Sequence, residues 1–133
     1  MTVMEALNRV DALKPNNYTN SEKIQWLSTL DGLIKTKIID THEGDHRHRH
    51  RPGNGESISF EAYDEYNDLT KEMLVPAPYD EIYILWLVAK IDLSNGEYTK
   101  YNNSATAYNN VYNDFAKFYN RTHMPKSNGG YKL

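Results

Sequence analysis

The sequence predicts a mainly α protein, a small helical bundle of about four helices with a long central loop or β-hairpin arm. Three observations carry that expectation. The chain has 133 residues and no cysteine, enough for one hydrophobic core and short of what two independent cores require. Apolar residues recur at spacings of three and four before Asp40 and again after Pro78, as in helices that bury one face. Between Thr41 and Ala77 that periodicity fails. We therefore expect a single helical domain over 1–133, with an arm or loop insertion at about 42–77.

The first helix is set by Thr2 and Glu5, three apart as a capping box requires. Val3, Ala6, Leu7, Val10 and Leu13 then form an apolar face, and Pro15 closes the element. Thr19 and Glu22 repeat the capping-box spacing. Ile24, Leu27, Leu30, Ile34 and Ile38 mark a second helix to about Asp40, with Trp26 and Leu33 widening its buried face. Gly32 inside it costs about 1 kcal/mol relative to alanine, and a close helix crossing would account for it.

The segment from Thr41 to Ala77 carries Gly44, Pro52, Gly53 and Gly55, then an acidic run from Glu61 to Asp68. A structureless loop of that length is uncommon inside a small domain. The expectation is a hairpin or arm, with Ser57-Ile58-Ser59-Phe60 as its strand and Ile38-Ile39 as a partner.

Pro78 suits a first helical position, and Asp80 and Glu81 place negative charge where the helix dipole favours it. Ile82 to Ala89 is apolar all round, which predicts the central core helix. Asn95 or Gly96 supplies the left-handed residue of a tight corner, and Ser94 with Glu97 has capping-box spacing. The last helix carries Tyr98, Tyr101, Ala105, Tyr108, Tyr112, Phe115 and Tyr119 as a heptad stripe, flanked by Asn102, Asn109, Asn113 and Asn120. Its tyrosines either wrap the Ile82–Val88 helix within the domain or partly face a neighbouring subunit, since tyrosine and asparagine suit half-wet contacts. Tyr98, Tyr101, Tyr108, Tyr112, Tyr119, Asn102 and Asn109 are therefore the candidate interface.

Composition excludes several function classes. Without cysteine there is no disulfide framework, thiol catalysis or cysteine-ligated zinc. Fifteen Lys and Arg stand against 18 Asp and Glu, for a net charge of -3, so the global electrostatic signature of a nucleic-acid binder is missing. No apolar stretch approaches the roughly 20 residues that cross a bilayer, and the N-terminus has neither the basic nor the apolar region of a secretion signal. The sequence holds no phosphate-loop, HExxH or GxSxG motif. No enzyme, cofactor or metal site is expected, and His123 reads as a helix terminator.

His46, His48 and His50 alternate with Arg47, Arg49 and Arg51. In an extended strand the imidazoles would share one side and the guanidiniums the other. The run reads first as a solvated loop, next as a contact with phosphate or an acidic partner surface, since guanidinium pairs bidentately with phosphate or carboxylate, and last as a metal site, because no carboxylate ligand is fixed by spacing and the flanking arginines oppose a bound cation. The acidic Asp64, Glu65 and Asp68 lack the spacing of an EF-hand and read as a solvated or intersubunit face.

The stretch Leu74-Val75-Pro76-Ala77-Pro78-Tyr79-Asp80-Glu81-Ile82-Tyr83, then Ala89-Lys90-Ile91-Asp92, Asn95-Gly96-Glu97-Tyr98, Tyr101-Asn102-Asn103-Ser104 and Tyr119-Asn120-Arg121-Thr122-His123-Met124-Pro125, resembles small proteins of phages and prophages of Firmicutes. These are read as head-tail connector or head-completion proteins. The likeness covers about 50 residues of the C-terminal half. It implies a virion structural protein without catalytic residues, a homo-oligomeric ring, a portal or other neck or tail protein as partner, and assembly in the bacterial host cytoplasm before residence in the virion. The alternative is a regulatory or nucleic-acid-contacting module that uses the His/Arg arm on DNA.

Overall fold

Helix α1 (Val3–Leu13) begins where the threonine at its N-cap predicts: the Thr2 side chain accepts from the Glu5 amide and the Glu5 side chain accepts from the Thr2 amide. The computed structural model describes residues 1–43 and 60–125. Helix α2 (Asn20–Ile34) opens on the same reciprocal bonds between Thr19 and Glu22. It continues as a π-helical segment, Lys35–Ile39, which ends as Asp40 N–H donates to the Lys35 carbonyl at 2.8 Å. Helices α3 (Glu81–Ser94) and α4 (Tyr98–Thr122) complete the set, joined by a corner in which Gly96 takes φ 75°.

Helix α3 packs against α1, α2 and α4. Its apolar composition follows from that position: Ile82, Tyr83, Ile84, Leu87, Ala89 and Ile91 are buried, from sides that meet different helices. Val3, Ala6, Leu7 and Val10 of α1 and Ile24, Leu27, Leu30, Ile34 and Ile38 of α2 and its extension close the same core. Mainly α architecture with a long central connection is thus the fold.

Residues 60–80 run as an ordered, irregular segment over the bundle. The first two amides of α1, which have no partner inside their own helix, donate to it: Val3 to the Lys71 carbonyl and Met4 to the Leu69 carbonyl at 2.9 Å. Met73 N–H returns a bond to Met1. Tyr63, Met73 and Val75 are buried in the core. A two-residue β1 (His42–Glu43) pairs antiparallel with β2 (Met124–Pro125), His42 opposite Pro125.

Several details differ from expectation. Ile38-Ile39 lie in the π-helical turn, not in a strand; the short pairing falls three residues later, while Ser57-Ile58-Ser59 lie outside the described residues. Leu13 and Leu33 extend no buried face: they are 67% and 36% exposed, because Leu13 is the last residue of α1 and Leu33 points away from the stripe of Leu30 and Ile34. Among the described residues Gly32 meets no crossing helix; a methyl there would touch the Phe60 ring at 3.6 Å, an ordinary contact. Pro78 sits in a turn after a cis peptide bond, and α3 starts three residues on, at Glu81, with Asp80 at its N-cap. The corner before α4 carries no capping box: Glu97 is the N-cap and makes no side-chain cap bond, its carboxylate being drawn instead to Lys100 at 3.0 Å.

Candidate interaction surface

Helix α4 is 25 residues long, yet Phe115 is its one fully buried residue among those described. The stripe predicted from the sequence grades along the helix. Near the C-terminal end it is interior: Phe115 stacks obliquely on Tyr79, and Phe118 meets the same ring at 5.1 Å. Tyr119 lies 5.9 Å from Phe115 and face to face with His123 at 3.8 Å, and His123 is the C-cap. In the middle, half-buried Tyr108 packs 5.1 Å from Trp86 and 6.0 Å from Tyr112. Burial pushes the Tyr108 hydroxyl up to about 12, with the Tyr112 hydroxyl adding to it, and burial also raises Tyr112. Both phenols are therefore neutral donors at any physiological pH. At the N-terminal end Tyr98 is 66% exposed, beside Leu93 at 41%.

Between α3 and the N-terminal half of α4 lies a groove of about 170 Å³, lined by Trp86, Ala89, Lys90 and Leu93 from one helix and Tyr101, Ala105, Tyr108 and Asn109 from the other. Three of the sequence candidates, Tyr101, Tyr108 and Asn109, therefore share this groove. Tyr98 and Asn102 lie nearby on the exposed surface, and Tyr112 and Tyr119 do not line it. The groove's α3 wall is what sequence reasoning missed. An all-apolar helix gave no sign that Trp86 and Leu93 would reach the surface. The available signal was Lys90, the one lysine in a run otherwise apolar from Ile82 to Ile91. Its ammonium rides 4.8 Å above the Trp86 ring, a cation–π arrangement.

A second cluster is buried. Asp31 on α2 is fully covered and accepts from Tyr63 Oη, from Tyr83 Oη at 2.6 Å and from the Leu74 amide at 3.1 Å. Tyr83 Oη in turn accepts from the Val75 amide at 2.8 Å. Burial raises the Asp31 carboxyl above its ordinary value, against the three donors that favour its charged form. Burial, with Asp31 beside them, raises both tyrosine hydroxyls as well. This cluster ties α2, α3 and the 60–80 segment together. A third polar junction joins α1, α3 and α4: Lys14 Nζ lies 2.6 Å from Asp92 Oδ1, and Ser104 Oγ donates to Asp92 Oδ2 at 2.8 Å.

In the acidic run, Asp64 and Asp68 are turned inward on their own loop: the Asp64 amide donates to Asp68, and Asp64 accepts from the Tyr66 amide and Asn67. Glu61 is exposed, and Glu65 is half-buried at a cleft against α2. His46, Arg47, His48, Arg49, His50 and Arg51 lie outside the described residues. Among the described residues no cluster of three metal-ligating side chains occurs, and no helix is long and apolar enough to cross a membrane. Comparison with protein-family models, curated proteins and solved structures returned no match.

Proposed function

We propose that the protein is a structural assembly subunit of the phage neck, joining head to tail through protein–protein contacts and performing no chemistry. The observation that carries this reading is α4: a long helix that buries one residue completely and offers the solvent a surface of tyrosine and asparagine, with an aromatic groove against α3. Aromatic rings with polar tips suit interfaces that are half wet before assembly and dry after it. The resemblance of the Leu74–Pro125 stretch to connector proteins supplies the setting: a ring of copies on a portal or another neck or tail protein, built in the host cytoplasm and retained in the virion.

The test is co-sedimentation with a phage portal ring. The subunit is expected to travel with the portal at stoichiometric amounts. A combined Tyr101→Ala and Asn109→Ala variant, altered only at the groove's rim, is expected to lose most of that association. Failure of the parent chain to bind portal, neck or tail proteins would remove the reading.

A further inference from the structure

We infer that the groove between α3 and α4 receives the Tyr66 turn of a second copy of this chain. The inference rests on the assembly reading above and names one contact within it. Tyr66 is 81% exposed, the most solvent-exposed of the large apolar side chains in the described structure. It stands on a turn rather than a helix, closed by the Asp64 amide donating to Asp68 Oδ2 at 2.7 Å and the Asp68 amide donating to the Asp64 carbonyl at 3.0 Å, with the Tyr66 amide donating to the Asp64 carboxylate at 3.2 Å. The ring is thus presented on a fixed support, which lowers the entropy lost when it is captured.

The groove matches that ring in size and in charge. A cavity of roughly 150 Å³ holds a benzene, and the groove offers about 170 Å³ between Trp86, Leu93, Tyr101 and Tyr108. Lys90 on its wall has no carboxylate partner among the described residues, its ammonium resting on Trp86. The turn carries the complement: Glu65 adjoins Tyr66 in the chain, and neither it nor the exposed Glu61 earlier in the segment has a cationic partner among the described residues. Lys90 and Glu65 thus bring opposite charges that lack a salt-bridge partner among the described residues, and the groove and the Tyr66 ring bring apolar surfaces that complete each other.

Geometry assigns the contact to two molecules. Glu65 and Tyr63 line a cleft with Ser21, Ile24 and Gln25 of α2, whereas all the groove's lining residues come from α3 and α4. The turn does not fill the groove of its own chain. Joining two different patches in this way is a heterologous contact, which repeats from copy to copy until rotation closes it.

A cysteine-free chain allows an unambiguous test. Tyr66→Cys and Ala105→Cys variants, each on an exposed or half-exposed site, are mixed at high concentration under mild oxidation. The expected product is a covalent heterodimer, and the variant carrying both changes is expected to give a ladder of higher multimers. Tyr66→Cys mixed with Asn113→Cys, away from the groove, serves as the control and is expected to give neither. In sedimentation, Tyr66→Ser and Lys90→Glu are each expected to weaken self-association about tenfold or more, with Glu65→Lys restoring much of the loss in the Lys90→Glu background. Circular dichroism melts confirm that these variants fold. Self-association or portal binding that persists unchanged in Tyr66→Ser and Lys90→Glu, with no cross-link, overturns this contact and leaves the assembly reading intact. A chain that neither self-associates nor binds a portal overturns both.

Discussion

Asp31 is the residue on which the middle of the chain depends, because three donors from two other elements converge on one buried carboxylate. Tyr83→Phe removes the hydroxyl that serves both Asp31 and the Val75 amide. Leaving a buried amide unpaired costs about 1–3 kcal/mol, so the urea midpoint of this variant is expected to fall by a corresponding amount. The same carboxyl has a pH signature. Its value is raised above 3.8 in the folded protein, so the folded state holds the Asp31 proton more tightly than the unfolded chain. Stability from that proton is complete below the ordinary carboxylate range and is lost as pH rises through the raised value. The stability of the wild type relative to Asp31→Asn, which cannot titrate, is therefore expected to decline over that window in urea melts and then level off. Sequence reading did not find this cluster. Asp31, Tyr63 and Tyr83 are separated by 32 and 20 positions, and spacing rules reach across a helical turn or a strand pair, not across a bundle.

At the scale of elements, the sequence was most legible where a helix begins or buries a periodic face. Both capping boxes at Thr2 and Thr19 form as their spacing predicts, since the bonds involved are local. The Ser94–Glu97 pair has the same spacing and forms none, because Ser94 is the last residue of α3 and Glu97 itself is the N-cap of α4; spacing permits a cap and the place where the helix starts decides it. The two structurally described glycines separate local strain from packing. Gly96 has φ 75° and open space around it, so Gly96→Ala is expected to cost about 1–2 kcal/mol through backbone strain alone. Gly32 lies inside α2 with ordinary room for a methyl, so Gly32→Ala is expected to gain about 0.5–1 kcal/mol. Thermal melts of the two variants should move in opposite directions.

For the whole molecule, α3 is the common partner of the other helices, and the 60–80 segment closes the core over α1 rather than projecting from it. The helical class was legible because three segments are periodic and a fourth is an uninterrupted apolar run between helix-end signals. The course of this segment was not, since Tyr63, Met73 and Val75 show no period and are buried by long-range bonds. Amide exchange is expected to follow this arrangement: α3 amides exchange only through global unfolding, while those of α4 near Tyr98 exchange earliest among the helices. The candidate site was half legible, its α4 wall from the tyrosine stripe and its α3 wall not at all. One contact in that wall has an optical consequence. The chain's two tryptophans are coupled, Trp86 donating its indole N–H to the Trp26 carbonyl at 2.8 Å, and Trp86 alone of the pair lines the groove. Intrinsic fluorescence excited at the indole band therefore carries a built-in signal for the groove: a Trp26→Phe chain keeps a single emitter at the proposed contact, and a shift of its emission to shorter wavelength on assembly reports water leaving that site without any added label.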